Sequence, residues 1–236
     1  MTNLNKRILT SLIIFPLSIF FIIQGENALL FFLLVVFFAA NYELFSVFNK
    51  KSVILFLDLI LILSFFSIYT LRHDSFYLDV PLKDQESFVL LMWVIILCIC
   101  SDIGGYIFGK IFKWKKLTTI SPKKTLSGVF GSFIFSFFSL FIMTVLNPYI
   151  GIGTGIFRFG YDFFQPKFLL LTIIFSLVAQ IGDLTISFFK RIEDIKDTGK
   201  ILPGHGGIFD RIDGLMFAVI LTFILYKFNL IYFHAP

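Results

Sequence analysis

The stretch SFFKRIEDIKDTGKILPGHGGIFDRID, residues 187–213, connects two apolar runs near the end of the chain. The runs cover residues 168–188 and 212–233, and each is long enough to cross the hydrocarbon core of a bilayer. The 27 residues of the stretch concentrate cations, acids and glycines in a chain that is only 15% charged. Crossing a bilayer does not require such a segment. Its composition is typical of a site for phosphates and divalent metal, so we expect chemistry there.

The rest of the composition predicts a membrane protein. The chain has 236 residues, of which 58% are hydrophobic and 35 are Phe. A soluble domain of this size cannot bury that much apolar surface. We predict an all-α fold, a polytopic helical membrane protein with about seven to eight transmembrane helices around a cytoplasm-facing polar cavity, in a single domain over residues 1–236. The predicted spans are residues 8–23, 28–48, 52–71, 88–108, 126–146, 168–188 and 212–233.

The distribution of basic residues predicts the orientation. Residues 8–23 follow Lys6 and Arg7, and no small-x-small cleavage site comes after them, so we expect an uncleaved helix rather than a signal peptide. With the N-terminus inside, 15 of the 20 Lys and Arg residues lie on the inner side. We therefore interpret the net charge of +5 as topogenic and expect no nucleic-acid partner. Seven spans would place the C-terminus outside.

Acids occur at similar depth in several predicted spans. They are Glu43, Asp58, Asp102, Asp183, Asp210 and Asp213. A carboxylate at the bilayer centre costs about 2.5–3.5 kcal/mol on insertion scales, and such acids usually face a bundle interior or a wet cavity. Since these acids lie toward the inner ends of spans, we expect one cavity that opens to the cytoplasm.

Three short motifs add polar groups at that depth. Asp102 is followed by Gly105 and Gly109, a spacing typical of close helix packing, although packing gives no reason for the carboxylate. Gln180 and Asp183 are three residues apart and share a helix face, which fits either a site or an interhelical hydrogen bond. Before the fifth span, the segment Ser121-Pro-Lys-Lys-Thr125 offers two lysines and hydroxyls at a helix N-terminus. That segment reads equally well as a phosphate site or as a topogenic loop.

The long polar stretch contains the fullest set of groups. Lys190, Arg191 and Lys196 supply cations, and the glycine turn Gly204–Gly207 allows backbone to approach a ligand closely. Asp210 and Asp213 are spaced i, i+3 on one helix face, as Mg²⁺ ligands beside phosphates often are. The broken-helix site of a transporter is an alternative. The number of cations favours a polyanionic ligand.

These segments resemble the phosphatidate cytidylyltransferase family, also called CDP-diacylglycerol synthases. The family pattern Ser-x-x-Lys-Arg, Lys-Asp-x-Gly and Pro-Gly-His-Gly-Gly-x-x-Asp-Arg-x-Asp is present in full over residues 187–213. The other three motifs look like family motifs in the same order, so the motif-bearing catalytic half covers about residues 90–215. One position departs from the pattern, because Ser127 stands where the family usually has an acid.

The resemblance implies the reaction CTP plus phosphatidate giving CDP-diacylglycerol and pyrophosphate, in phospholipid biosynthesis, with Mg²⁺; a second metal ion is left open. The expected partners are CTP, phosphatidate and the membrane, with a homodimer left open. The expected location is the bacterial inner membrane with the site facing the cytoplasm.

Roles follow for the residues that match the motifs. Asp183 and Asp213 are the leading metal ligands, and Asp102 and Asp210 support them. The catalytic set is Asp183, Asp210, Asp213, Lys190 and Arg191. The substrate-binding set is Ser121, Lys123, Lys124, Thr125, Lys196, Gly204, His205, Gly206, Gly207 and Arg211. The alternatives are another lipid-head-group transferase or CTP-dependent lipid kinase, a transporter, and an inactive membrane scaffold.

Overall fold

The described part of the chain is built from helices. The computed structural model describes residues 3–73, 86–118, 121, 124–150, 165–204 and 206–231, and over these ranges it contains seven helices and no strand. They are α1 (Asn3–Gln24), α2 (Glu26–Val47), α3 (Lys51–His73), α4 (Glu86–Phe112), α5 (Leu126–Ile150), α6 (Pro166–Ile192) and α7 (Phe209–Lys227). The predicted all-α class is confirmed.

Five of these helices, α2 to α6, are long and apolar enough to cross a membrane. The chain is therefore an integral membrane protein. In α1 the apolar part is shorter, Leu12–Gln24, and α7 carries several charges over its 19 residues. The predicted total of seven to eight spans thus stays a prediction, which depends on these two terminal helices.

Helix α7 ends earlier than the sequence predicts, at Lys227 rather than residue 233. Asn229 has φ 54°, the left-handed conformation that Asn adopts more readily than most residues. Its N–H donates to the Tyr226 carbonyl at 3.0 Å, and the Leu230 N–H donates to the Leu225 carbonyl at 2.8 Å. This pair of bonds is the Schellman motif, which satisfies the last carbonyls and stops the helix.

The same motif ends α6 and begins the polar stretch. Asp194 has φ 55°, and its N–H donates to the Arg191 carbonyl at 3.2 Å. The Ile195 N–H donates to the Lys190 carbonyl at 2.9 Å. The chain therefore turns away from the α6 axis directly after Ile192, and the following residues fold back over the ends of neighbouring helices.

Glycines set the distance between α4 and α5. A Cβ on Gly104 would collide with the Gly131 carbonyl oxygen and with Phe135 on α5. Further along, a Cβ on Gly128 would lie 3.0 Å from the Gly105 carbonyl oxygen, and one on Gly109 would lie 3.7 Å from Gly128 Cα. The packing interpretation of Gly105 and Gly109 is therefore confirmed.

Small residues also bring α6 against α7. A Cβ on Gly182 would lie 2.9 Å from the Asp213 carbonyl oxygen, and one on Gly214 would lie 2.8 Å from the Ala179 carbonyl oxygen. Close backbone contact at these two points places Asp183 and Asp213, which follow or precede the glycines, on neighbouring turns of the two helices.

Arg72 joins the end of α1 to α3 and α4. Its Nε and Nη2 donate to the carbonyls of Ile22 and Ile23, both at 2.7 Å, and its guanidinium carbon lies 4.6 Å from the centroid of the Phe88 ring. The carbonyls at the end of a helix lack intrahelical partners, so a buried guanidinium is a suitable cap. This contact fixes α1 to the bundle at the end remote from the polar stretch.

Candidate active site

A cavity of about 300 Å³ lies among α4, α5, α6 and the segment that joins α4 to α5. It collects residues from three of the four sequence motifs. Its walls are formed by Asp102, Gly105, Tyr106, Leu117, Ser121, Lys124, Thr125, Gly128, Val129, Ser132, Gln180 and Asp183. The structure therefore brings together the segments whose order and depth in the sequence suggested a shared site.

An ion pair crosses this cavity. Lys124 Nζ lies 2.5 Å from Asp183 Oδ2, and both side chains are partly exposed to the cavity. Asp183 Oδ1 also accepts a 3.4 Å hydrogen bond from the Ser187 hydroxyl, one turn along α6. A lysine that contacts a carboxylate here is close enough to bind either that carboxylate or the phosphate of a ligand in the cavity.

The backbone of the α4–α5 connection directs Lys124 inward. The Lys124 N–H donates to the Ser121 carbonyl at 3.0 Å, and the Leu117 N–H donates to the Lys124 carbonyl at 2.8 Å. Next to it, the Leu126 N–H donates to the Lys115 carbonyl at 3.0 Å. The segment thus folds back on itself, and this backbone pairing holds Lys124 just before the N-terminus of α5.

Three helices contribute carboxylates to this region, namely Asp102 on α4, Asp183 of the ion pair on α6 and Asp213 on α7. Asp102 on α4 is within electrostatic range of Asp183 on α6 and of Lys124. Asp213 on α7 is within range of both Asp183 and Asp102, and its Oδ1 accepts the Gly214 N–H at 2.8 Å. Arg211 is also within range of Asp102. Of the six acids that the sequence placed at similar depth, Asp102 and Asp183 line the cavity, and one cytoplasm-facing cavity for all of them stays a prediction.

Thr125 and Ser127 organise the start of α5. The Thr125 hydroxyl accepts the Gly128 N–H at 3.1 Å, as a residue before the first helical turn commonly does. It also lies 3.0 Å from the Ser127 hydroxyl, which accepts the Trp114 N–H at 3.4 Å. Ser127 is 1% exposed and is not part of the cavity wall. The one departure from the family pattern therefore contacts the connecting segment rather than the cavity.

A hydrogen-bonded network of serine hydroxyls lies next to the cavity residues Ser132 and Gln180. The Ser101 and Ser176 hydroxyls lie 2.9 Å apart, and Gln180 Nε2 donates to the Ser176 hydroxyl at 3.3 Å. The Ser132 hydroxyl donates to the Ser101 carbonyl at 2.8 Å. Gln180 therefore joins a network that reaches α4, rather than bonding directly across helices. No motif in the sequence pointed to Ser132.

Asp210 anchors the polar stretch at its end. Its Oδ1 accepts a 2.7 Å hydrogen bond from Lys190 Nζ, and its Oδ2 accepts the N–H groups of Thr198 at 2.8 Å and Gly207 at 3.0 Å. Both carboxylate oxygens are thus engaged in this arrangement. The buried Lys190–Asp210 pair belongs to the framework of the loop and lies beside the group of three carboxylates. The metal role of Asp210 stays a prediction.

The glycine turn depends on backbone conformations that residues other than glycine rarely adopt. Gly204 has φ 79° and Gly206 has φ 90°. The Leu202 N–H donates to the Gly206 carbonyl at 3.1 Å and closes the turn, while the Pro203 carbonyl accepts a 3.0 Å bond from the Thr10 hydroxyl of α1. The predicted site residues His205 and Lys123 lie outside the described residues.

A buried acid on α2 also holds the loop. Glu43 is 2% exposed, and its carboxylate accepts the Ile201 N–H at 2.8 Å and the Ile208 N–H at 2.7 Å. The sequence singled out Glu43 as an acid near the inner end of a span but assigned it no role. Its position in an otherwise apolar helix was the available signal, whereas its partners lie more than 150 residues away and could not be read from spacing.

Two predicted cations lie apart from the carboxylate cavity. Lys196 borders a second cavity of about 630 Å³ between α2 and the polar stretch, together with Lys200 and Tyr42. Arg191 is exposed, and its Nη1 donates to the Ile195 carbonyl at 3.0 Å, which stabilises the end of α6. Their assignments as substrate-binding and catalytic residues stay predictions.

The set of carboxylates Asp102, Asp183 and Asp213 fits a divalent metal ion whose coordination shell is completed by oxygen atoms of a bound ligand. Among the described residues, no group of three His, Cys, Asp or Glu side chains is close enough to hold a metal alone. Mg²⁺, however, is commonly bound by one or two carboxylates, with substrate phosphates and water completing the shell. Asp183 and Asp213 on adjoining helices supply oxygen donors of that kind, and Lys124 supplies a cation for the phosphate.

Outside the membrane-spanning helices, Glu193 is the acid among the described residues whose pKa is clearly shifted. Glu193 follows α6 and accepts the Lys50 N–H at 2.9 Å, the Asn49 N–H at 3.2 Å and the Asn49 side-chain amide at 3.4 Å. Desolvation raises the pKa of Glu193, but these hydrogen bonds and the charge of Lys50 together outweigh it and leave the pKa below its ordinary value. The contact ties the α2–α3 turn to the start of the polar stretch.

The described structure is that of a helical membrane protein with a cavity lined by a lysine and two carboxylates. Residues 59–229 match the cytidylyltransferase family model, and the chain belongs to this family. Over 132 aligned residues it is 35% identical to the phosphatidate cytidylyltransferase of Helicobacter pylori (strain ATCC 700392 / 26695). The aligned region covers 56% of this chain and 45% of that relative.

Two further relatives carry the same enzyme name and have similar sequence identity to this chain. The phosphatidate cytidylyltransferase of Staphylococcus epidermidis (strain ATCC 12228 / FDA PCI 1200) is 39% identical over 137 residues, 58% of this chain and 46% of the relative. That of Staphylococcus aureus (strain COL) is 38% identical over 144 residues, 60% of this chain and 50% of the relative. This chain thus spans about half the length of the curated relatives that it matches.

Proposed function

We propose that this chain is a phosphatidate cytidylyltransferase that converts CTP and phosphatidate to CDP-diacylglycerol and pyrophosphate. The observation that carries the proposal is the cavity in which Lys124 contacts Asp183 beside Asp102, with Asp213 of α7 within electrostatic range of both acids. Relatives named for this activity support it at 35–39% identity. The proposed location is a bacterial inner membrane, with the cavity facing the cytoplasm.

The proposed chemistry needs charge screening more than a strong base. A phosphate oxygen of the lipid attacks the α-phosphorus of CTP, the bond from that phosphorus to the bridging oxygen breaks, and pyrophosphate leaves. The second pKa of a phosphate monoester is about 6, so the nucleophile is substantially ionised at neutral pH. The obstacle is the electrostatic repulsion between the two anionic phosphates as they approach each other. Cations held in fixed positions reduce this repulsion.

The residues of this chain divide that task. We propose that Lys124 and Lys123 hold nucleotide phosphates at the start of α5, and that Arg211 and Arg191 hold further phosphate oxygens. The Gly204–Gly207 turn would offer backbone N–H groups, with His205 as a donor or turn residue. Lys190 acts through its pair with Asp210, which fixes the loop that carries the turn.

The proposed cofactor is Mg²⁺, held by Asp183 and Asp213 with Asp102 in support. When bound, the ion would neutralise charge on the phosphates and on the departing pyrophosphate. The carboxylates themselves orient the site, because they project from three helices whose packing is fixed by glycines. A second metal ion and a homodimer are not part of the proposal.

The decisive experiment uses the full chain purified in detergent with CTP, phosphatidate and Mg²⁺. We expect equal amounts of CDP-diacylglycerol and pyrophosphate, and no product when CTP or Mg²⁺ is omitted. Product carrying only a phosphate from CTP would indicate a lipid kinase instead. Absence of any CTP-dependent product from a folded preparation would refute the proposed function.

A further inference from the structure

Glu43 contacts the polar stretch from outside the region that the family model matches, which begins at residue 59. Its Oε1 accepts the Ile201 N–H and its Oε2 accepts the Ile208 N–H. These two N–H groups stand on either side of the glycine turn. A single side chain on α2 therefore holds both ends of the turn at a fixed separation.

Two loop glycines leave the space that this carboxylate occupies. A Cβ on Gly199 would collide with Glu43 Oε1, and a Cβ on Gly207 would lie 2.8 Å from Glu43 Oε2. Both glycines belong to the motifs of the polar stretch. The Glu43 carboxylate therefore accounts for the lack of a side chain at Gly199, whereas at Gly207 the Thr198 hydroxyl, and the Gly199 backbone nitrogen at 2.6 Å, also exclude a Cβ.

Asp210 holds the same loop from a different helix. It accepts the N–H groups of Thr198 and Gly207, whereas Glu43 accepts those of Ile201 and Ile208. The backbone on both sides of the turn is therefore fixed by two buried carboxylates, one on α2 and one on α7. Asp210 has Lys190 as its cation, but among the described residues the partners of the Glu43 carboxylate are backbone N–H groups.

We propose that Glu43 is a positioning residue that sets the conformation of the phosphate-binding glycine turn without contacting substrate. This inference rests on the proposed function for the role of the turn. A carboxylate accepts two N–H groups at once, one on each oxygen. A carboxamide has a single acceptor oxygen, so Glu43→Gln must turn an N–H₂ group toward one of the two backbone donors. One side of the turn is then released.

The test measures the loop directly and then the reaction. In wild type and E43Q, purified without substrate, hydrogen exchange is followed in peptides that contain Ile201 and Ile208. We expect exchange at one or both amides to become at least about 10-fold faster, since a hydrogen bond to a charged group is lost. We also expect kcat/KM for CTP to fall about 10-fold or more, while the apparent Tm changes by less than about 3 °C.

Glu193→Gln is the matched control. Glu193 is a partly exposed acid that also accepts backbone N–H groups, those of Asn49 and Lys50, and it lies outside both cavities. In E193Q, faster exchange should be confined to the Asn49–Lys50 turn, and kcat/KM for CTP should equal that of wild type. This comparison separates the loss of any carboxylate–backbone contact from the loss of the one at the glycine turn.

The outcomes are distinguishable from failure of the proposed function. If wild type has no CTP-dependent activity, the proposed function fails, and the role of Glu43 as a positioning residue fails with it. If wild type is active and E43Q shows unchanged exchange at Ile201 and Ile208, the contact itself is refuted. If exchange accelerates but kcat/KM for CTP is unchanged, Glu43 is a structural residue only and the positioning role is overturned.

Discussion

At the scale of single residues, Asp210 and Asp213 lie one helical turn apart on α7 and have different surroundings. Asp210 is bonded to Lys190 and to two backbone N–H groups of the loop, whereas Asp213 lies among the carboxylates of α4 and α6. The i, i+3 spacing predicted that they share a helix face. It could not separate their roles, because the loop that surrounds Asp210 is folded by contacts with distant residues.

Replacing each of these acids by Asn should therefore have different effects. Asp213→Asn should lower Mg²⁺-dependent turnover by at least about 100-fold and leave the loop resistant to protease, since it removes a proposed metal ligand. Asp210→Asn should make the bonds at Lys196 and Lys200 sensitive to trypsin, because it breaks a buried ion pair, a change that typically costs about 3–5 kcal/mol. Turnover in Asp213→Asn within about twofold of wild type would contradict the metal assignment.

At the scale of helices, the predicted boundaries agree within a few residues except at the end of α7. The fifth predicted span and α5 both begin at residue 126, where Thr125 accepts the Gly128 N–H. Apolar residues continue past Lys227, but the helix ends there. It ends because Asn229 adopts the left-handed conformation and completes a Schellman motif. Such an ending depends on backbone geometry, which a count of apolar residues does not include.

The glycines between α4 and α5 allow a sharp comparison. Gly104→Ala should lower the free energy of unfolding by about 1–3 kcal/mol, because the added Cβ meets the Gly131 carbonyl and the Phe135 side chain. Gly109→Ala should cost less than Gly104→Ala, because its Cβ would lie 3.2 Å from the Thr125 hydroxyl, a side-chain atom that can shift, and because alanine favours helix by up to about 1 kcal/mol. Denaturation of both variants in the same detergent tests the difference. Equal effects would mean that Gly104 does not set the interhelical distance.

The contact of Glu193 with the α2–α3 turn predicts a pH effect. Its pKa is lower in the folded protein than in the unfolded chain, so its contribution to stability is present above the ordinary glutamate pKa of about 4.3 and is lost as pH falls through the lower folded value. The difference in apparent Tm between wild type and Glu193→Gln should therefore be larger at pH 7 than at pH 3. A difference that grows on acidification would contradict this account.

At the scale of the whole molecule, helices from both halves of the chain converge on the polar stretch. Thr10 of α1 contacts Pro203, Glu43 of α2 contacts Ile201 and Ile208, and α6 and α7 carry the stretch itself. The motifs identified the second half of the chain as the functional part. The contribution of the first half could not be predicted, since nothing in the order or spacing of its residues indicates where the loop folds back.

The orientation can be tested with single cysteines. Cys98 and Cys100 are buried, so a membrane-impermeant thiol reagent should label only introduced residues. Lys51→Cys and Lys116→Cys should react from the cytoplasmic side, as the positive-inside distribution predicts. Lys227→Cys, at the end of α7, should react only from the opposite side if all seven helices span. Labelling of position 227 from the cytoplasm would show that one terminal helix does not cross.

The contact between Lys124 and Asp183 has a consequence for how the protein is made. The cavity brings like charges together, yet one of them is already neutralised by a cation that belongs to the polypeptide. We therefore expect newly synthesised chains to fold in the bilayer without an inorganic ion. If the cavity binds Mg²⁺ as proposed, chelation of divalent ions should abolish turnover and lower the apparent Tm by no more than the binding energy of the ion, so protein deprived of magnesium would remain folded in the membrane as an intact reserve.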